Sequence, residues 1–242
     1  MAIELPGPVV SFLSVVGISW PNVNEDKVRE FASHIREFAS AVDTTHQQAT
    51  ATVKQLGAHY KGPSYEALLT AWGEKSSTHM AELVSLCHGV ATALDVAAGV
   101  IVTLKGKCIV ELGALAVTFA AEQAAAVETL GASEAAAALT VKAAEKAVQV
   151  LEDQITQHII GEVIEKALDP LVEAVGKAAG GLMFKAAEDA LGVDTDGWDG
   201  GDGFEIHPSM LTFHATTMHG HADTVAGHAK TLQTKLAGVS FQ

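Results

Sequence analysis

Two long apolar runs at spacings of three and four, broken once by Lys61-Gly62-Pro63, decide what this chain can fold into. Before the break, Val28, Phe31, Ile35, Phe38, Val42, Ala49, Val53 and Leu56 form a stripe interrupted by His46. After it, Met80, Leu83, Cys87, Val90, Leu94, Ala97, Ile101 and Leu104 repeat the pattern without a slip. Such spacings line one face of a helix, and their alternation is the heptad signature of helices packed side by side. Asn24 ahead of Glu25 and Asp26 predicts a capped start with acids in the first turn. A helix from Asn24 to Leu56 would be on the order of 50 Å long at 1.5 Å per residue. At the break, Gly62 supplies backbone freedom, Pro63 pre-sets φ, and Glu66 suits a positive helix start. Trp72 then lies on the inward face and covers the bend. No stretch alternates as a strand does. The expected fold is all-α: an elongated bundle built on a long antiparallel helical hairpin, with a separate C-terminal helix.

The remaining chain divides by composition. Ser133 caps a helix carrying Leu139, Ala143, Ala147, Leu151, Ile155, Ile159 and Val163, and Asp169-Pro170 ends it and opens another that fades at Gly192. Residues 1–192 therefore read as one helical bundle domain and residues 193–204, rich in Gly and Asp, as an acidic linker. A calcium loop counted from Asp194 would need an oxygen ligand and a glycine at its fifth and sixth places, where Trp198 and Asp199 stand. Residues 205–242 read as an amphipathic, His-rich helix with Ile206, Met210, Phe213, Thr217, Val225, Leu232, Leu236 and Val239 on its apolar face. One such helix cannot form a core alone, so it folds onto the first domain, pairs with its own copy, or awaits a partner.

Charge and composition exclude several functions. The formal net charge of −14 repels phosphates and acidic lipids, which argues against nucleic acid as a partner. Cys87 and Cys108 are too few for a disulfide framework and fall on apolar faces, as buried structural thiols do. No Ser/His/acid set, phosphate-cradling glycine turn or Cys/His zinc spacing is present, so neither catalysis nor a cofactor or metal is expected. His207, His214, His221 and His228 recur every seven residues. Helical metal pairs want spacings of three or four. The row therefore reads as a polar flank, with a pH-sensitive interface and metal bridging across a dimer as alternatives.

Near the N-terminus, Val9 to Ile18 is apolar, yet no Lys or Arg precedes it and Pro6, Pro8 and Pro21 bracket it. A short docked helix ended by Trp20-Pro21 fits better than a signal peptide. Tyr60-x-Gly62 between two helical runs resembles the Trp-x-Gly hairpin of ESX-type secretion substrates, with Tyr60 where Trp is usual. Glu4-Leu5-Pro6-Gly7, Gly17-Ile18-Ser19-Trp20-Pro21 and Asn24-Glu25-Asp26-Lys27 resemble the N-terminal helical domain of actinobacterial polymorphic toxins, related to that family. The resemblance implies a non-catalytic secretion-targeting module of the type VII kind, exported without a cleavable signal. It implies the secretion machinery and a small helical ESX-type protein as partners. The family's Tyr-x-x-x-acid signal maps onto Asp95, but Ala91 stands at the Tyr position. The implied motif residues are thus Tyr60, Gly62, Trp72 and Asp95. Two alternatives stand beside this. One is a membrane-inserting helical pore using Val96 to Phe119, with Gly106 between Lys105 and Lys107 at its hairpin tip. The other is self-association into a homo-oligomer.

Overall fold

The computed structural model describes residues 3–129, 134–171 and 205–239. The predicted linker 193–204, the Ser133 cap and the helix after Pro170 lie outside them, apart from its first residues. The fold is an all-α bundle, with the elements α1 (Gly7–Val16), α2 (Glu25–Leu56), α3 (Pro63–Ala71), α4 (Thr78–Thr129), α5 (Glu134–His158) and α6 (Pro208–Gly238). Two-residue strands β1 (Tyr60–Lys61) and β2 (Glu205–Ile206), and π-helical stretches Trp72–Ser77 and Ile159–Leu168, complete the described elements. The chain forms two compact units. Of the described residues, one holds 3–30, 93–129 and 134–166; the other holds 31–92, 167–171 and 205–238.

In the first unit, α1 buries Val9, Phe12 and Leu13, and the Phe12 ring meets Phe119 of α4 at 5.3 Å. Its end is set by Gly17 in the left-handed region at φ 76°, whose N–H returns to Leu13, three residues ahead of the expected stop at Trp20-Pro21. The start of α2 is as expected: the Asn24 side-chain oxygen accepts from the N–H groups of Asp26 at 3.0 Å and Lys27 at 3.2 Å. Helix α4 runs unbroken from Thr78 to Thr129, so Gly106 is an ordinary helical position and not the tip of a hairpin. Among the described residues no helix is long and apolar enough to cross a membrane.

The phase of α4 departs from the expected stripe at one charged residue. Lys105, not Leu104, continues the buried face from Ile101 to Cys108 and Leu112, and it is 3% exposed. Its ammonium lies 2.8 Å from a carboxylate oxygen of Glu25, which is 0% exposed. The same ammonium donates to the Val23 carbonyl, and the Ile3 N–H donates to the other Glu25 oxygen. Burial pushes the Glu25 carboxyl up, but the Lys105 and Ile3 hydrogen bonds outweigh it and hold it below its usual value. Glu25, a first-turn acid as expected, is also a buried anchor for the N-terminal segment. Helix α5 also begins out of phase: Leu139 is 69% exposed while Ala137, Thr140 and Ala144 turn inward. From Ala147 through Leu151 and Ile155 the expected face is the buried one.

In the second unit the heptad face of α2 is finer than the large side chains indicate. Ala32, Ile35, Ala39, Val42, Ala49, Val53 and Leu56 are buried, whereas Phe31 and Phe38 flank the seam half-buried. Small alanines at the seam let neighbouring backbones approach, which displaces the phenyl rings sideways. Met80, Leu83, Cys87 and Val90 of α4 are all buried. Both cysteines are free and buried. Desolvation pushes the Cys87 and Cys108 thiols up to about 11, as fits structural thiols.

Candidate functional site

The bend is built from four sequence features acting together. Helix α2 unwinds through tight turns in which Gly57, Ala58 and His59 donate back to Lys54, Gln55 and Leu56. Gly62 takes φ 141°, ψ 173°, a conformation L side chains rarely adopt. Its carbonyl accepts from Tyr65 and Glu66, so Pro63 opens α3 without leaving an unsatisfied donor. The Tyr65 hydroxyl donates to the Val53 and Lys54 carbonyls at 3.2 and 3.3 Å, tying α3 back to the end of α2. Gly57 makes room for it: a Cβ there would sit 2.4 Å from that hydroxyl.

Tyr60 is buried and packs edge-on against Tyr65 at 6.1 Å. Trp72 is half-buried at the start of the π-helical stretch, donates its indole N–H to Thr50 at 3.0 Å and stacks on His46 at 5.4 Å. Desolvation lowers the His46 pKa from its ordinary value, opposed by the nearby Asp43 charge. Tyr60 and Gly62 sit at the bend itself, whereas Trp72 packs back on α2 at Thr50 and His46. Asp95 lies half-buried on α4 in the other compact unit, one turn after the fully buried Ala91.

Sequence reasoning missed what else meets the bend. Tyr60 and Lys61 pair antiparallel with Ile206 and Glu205, and the His207 N–H donates to the His59 carbonyl at 3.2 Å. Through this pairing α6 begins at the bend and runs back along α2. Of the three arrangements open for the C-terminal helix, the described residues show the first: it folds onto its own chain. The expected apolar face is half-buried at Met210, Thr217, Val225, Leu232, Leu236 and Val239, with Phe213 out of phase. Phe213 is 60% exposed, while His214 is 5% exposed.

The histidine row lies in the seam. His228 Nε2 meets the Thr45 hydroxyl at 3.1 Å, and His221 Nε2 meets Thr52 at 3.2 Å. Thr45 and Thr52 donate their own protons to the Ala41 and Gln48 carbonyls. The network therefore assigns Nε2–H as the donor in both imidazoles. One heptad further, His214 stacks on His59 at 6.0 Å, and His207 meets the same ring edge-on at 5.9 Å. The partners Thr45, Thr52 and His59 are themselves seven apart, so two heptad rows run antiparallel in register. At the far end Lys235 pairs with Glu37 at 2.6 Å. Period seven was legible; the matching Thr45-Thr52-His59 row, along α2 and into the turn after it, was the missed signal. Among the described residues no group of three His, Cys, Asp or Glu is placed to hold a metal ion.

The comparison with protein families decides the relationship. A WXG100 like domain matches residues 3–148, more than half of the chain. This chain belongs to the WXG100-like family. Its relation to the Trp-x-Gly substrates of ESX secretion follows, and the family's proteins are helical and act with type VII secretion systems. Curated proteins and solved structures contain no match to the chain. Tyr60-Lys61-Gly62 falls inside the matched range, whereas α6 and its histidines fall beyond it.

Proposed function

We propose that this chain is a non-catalytic secretion-targeting and delivery module of an ESX-like type VII substrate, acting through helix–helix contacts. The observation that carries the reading is the family match over residues 3–148, which contains the Tyr60-x-Gly62 bend. The positive φ of Gly62 and the burial of Tyr60 support a bend retained as a folded shape. Machinery that takes folded helical cargo reads such a shape and not an extended signal. In this reading residues 1–192 form the targeting bundle, 193–204 a linker and 205–242 an appended helix. The module acts outside the cell.

Ala91 is buried where the family's signal tyrosine is expected. We therefore assign the export signal to a small helical ESX-type partner, with Asp95 as the one element of that signal carried here. The test is export of the tagged chain from its native host, with and without a working type VII secretion ATPase. ATPase-dependent appearance in the medium without lysis supports the reading. Equal release from both strains, or retention in both, overturns it.

A further inference from the structure

We propose that the His59–His207–His214 cluster is a proton-operated release for the N-terminal end of α6. Three imidazoles from the end of α2, the segment after β2 and the first turns of α6 gather there, with His59 about equally distant from the other two, at 5.9 and 6.0 Å. His214 is 5% exposed, and neither of its ring nitrogens has a hydrogen-bond partner among the described residues. A neutral imidazole in that place leaves one N–H unmatched. An imidazolium leaves two, and adds a buried charge beside two further imidazoles. Separation of α6 from the bend returns the buried His214 ring to water, where an imidazolium finds hydrogen-bond partners that the closed form does not offer it.

The two ends of the seam respond differently. His221 and His228 already donate Nε2–H to Thr45 and Thr52, and protonation leaves those bonds intact. Near the far end the charged groups on α2 are Arg36 and Glu37, which line one groove with His228, and Glu37 is held by Lys235. At the cluster, β1 presents Lys61, in register opposite Glu205 of β2, and the Phe213 ring stands 5.4 Å from His214. His46, with Asp43 nearby, faces Trp72 on α2. His219 and Asp223 lie exposed on α6 itself. Acid therefore peels α6 from its β2 end and leaves its C-terminal half docked.

The test uses the full chain with spin labels on two pairs of exposed positions, Ala58→Cys with Ala215→Cys beside the cluster and Ser40→Cys with Gln233→Cys at the far end. The buried native thiols do not compete for label. Between pH 7.5 and 5.5 the first distance broadens and lengthens, and the second is unchanged. The open population rises by about tenfold per pH unit for each proton taken up. The His59→Gln/His214→Gln variant loses the response. Leu211→Glu places a carboxylate one turn from both His207 and His214 and moves the transition to lower pH by about one unit. An unchanged first distance in the parent chain down to pH 5 overturns the proposal. So does a parent-like transition in either variant; where the glutamine variant fails to dock at pH 7.5, the Leu211→Glu result decides.

Discussion

Replacing Lys105 by Met tests the buried anchor most directly. The substitution keeps the volume and apolar stem of the side chain, so little packing is lost. It removes the ammonium 2.8 Å from Glu25 and the donor to the Val23 carbonyl. Glu25, 0% exposed, is left with the Ile3 N–H and no counter-charge. Breaking a buried pair from one side costs about 3–5 kcal/mol, a large share of the roughly 5–15 kcal/mol that folds a domain. At an m value of about 2.5 kcal/mol/M this is a fall of about 1–2 M in the urea midpoint, followed by far-UV circular dichroism. The Glu25→Gln/Lys105→Met double variant removes the stranded charge and should recover at least about 2 kcal/mol of the loss. The pH dependence has a definite sign. In the parent chain the Glu25 carboxyl is held below its usual value, so its contribution is full above about pH 4.5 and is lost as pH falls through the folded value. In Lys105→Met the carboxyl takes up a proton instead, so the gap between variant and parent narrows on acidification. A loss under about 1 kcal/mol at pH 7.5, or a double variant no better than the single one, refutes the anchor.

Gly62→Ala forces a side chain into φ 141° and should cost about 1–3 kcal/mol, read as a lower thermal midpoint. Gly57→Ala drives a Cβ against the Tyr65 hydroxyl and breaks its bonds to Val53 and Lys54, for about 1–2 kcal/mol by the same assay. A double-mutant cycle of Trp72→Phe and Thr50→Val should show a coupling of about 1 kcal/mol, since the indole N–H donates to that hydroxyl. Thiol reagent at pH 8 should leave Cys87 and Cys108 unmodified in the native chain and consume both in urea, because burial holds both near 11.

The long helices and their bend were legible because their signals are local: an Asn24 cap, heptad spacing, and a Gly-Pro step into α3. Phase within the helices was harder. Hydrophobicity points to Phe31 and Phe38, but close packing chose Ala32 and Ala39 for the seam. Nothing in the sequence marks Lys105 as buried, because its partner, Glu25, stands eighty residues away and no local pattern links them. In α5, runs of alanine give too little contrast to distinguish Leu139 from Thr140. The histidine row was visible as a period, yet its orientation depended on Thr45 and Thr52 of α2 and on His59 in the turn after it. The Tyr60–Ile206 pairing has no signature at all in two-residue strands.

That short pairing has a further consequence. Since Thr45, Thr52 and His59 face His228, His221 and His214 at a common interval, sliding α6 by seven residues, about 10.5 Å, would put each threonine opposite another histidine. The seam alone is degenerate, like a zipper that closes equally well one tooth over. The backbone bonds of Tyr60 and His59 to the start of α6 remove the ambiguity, because strand pairing cannot be shifted by a helical repeat. Two residues of strand therefore act as the alignment pin for a helix of 31.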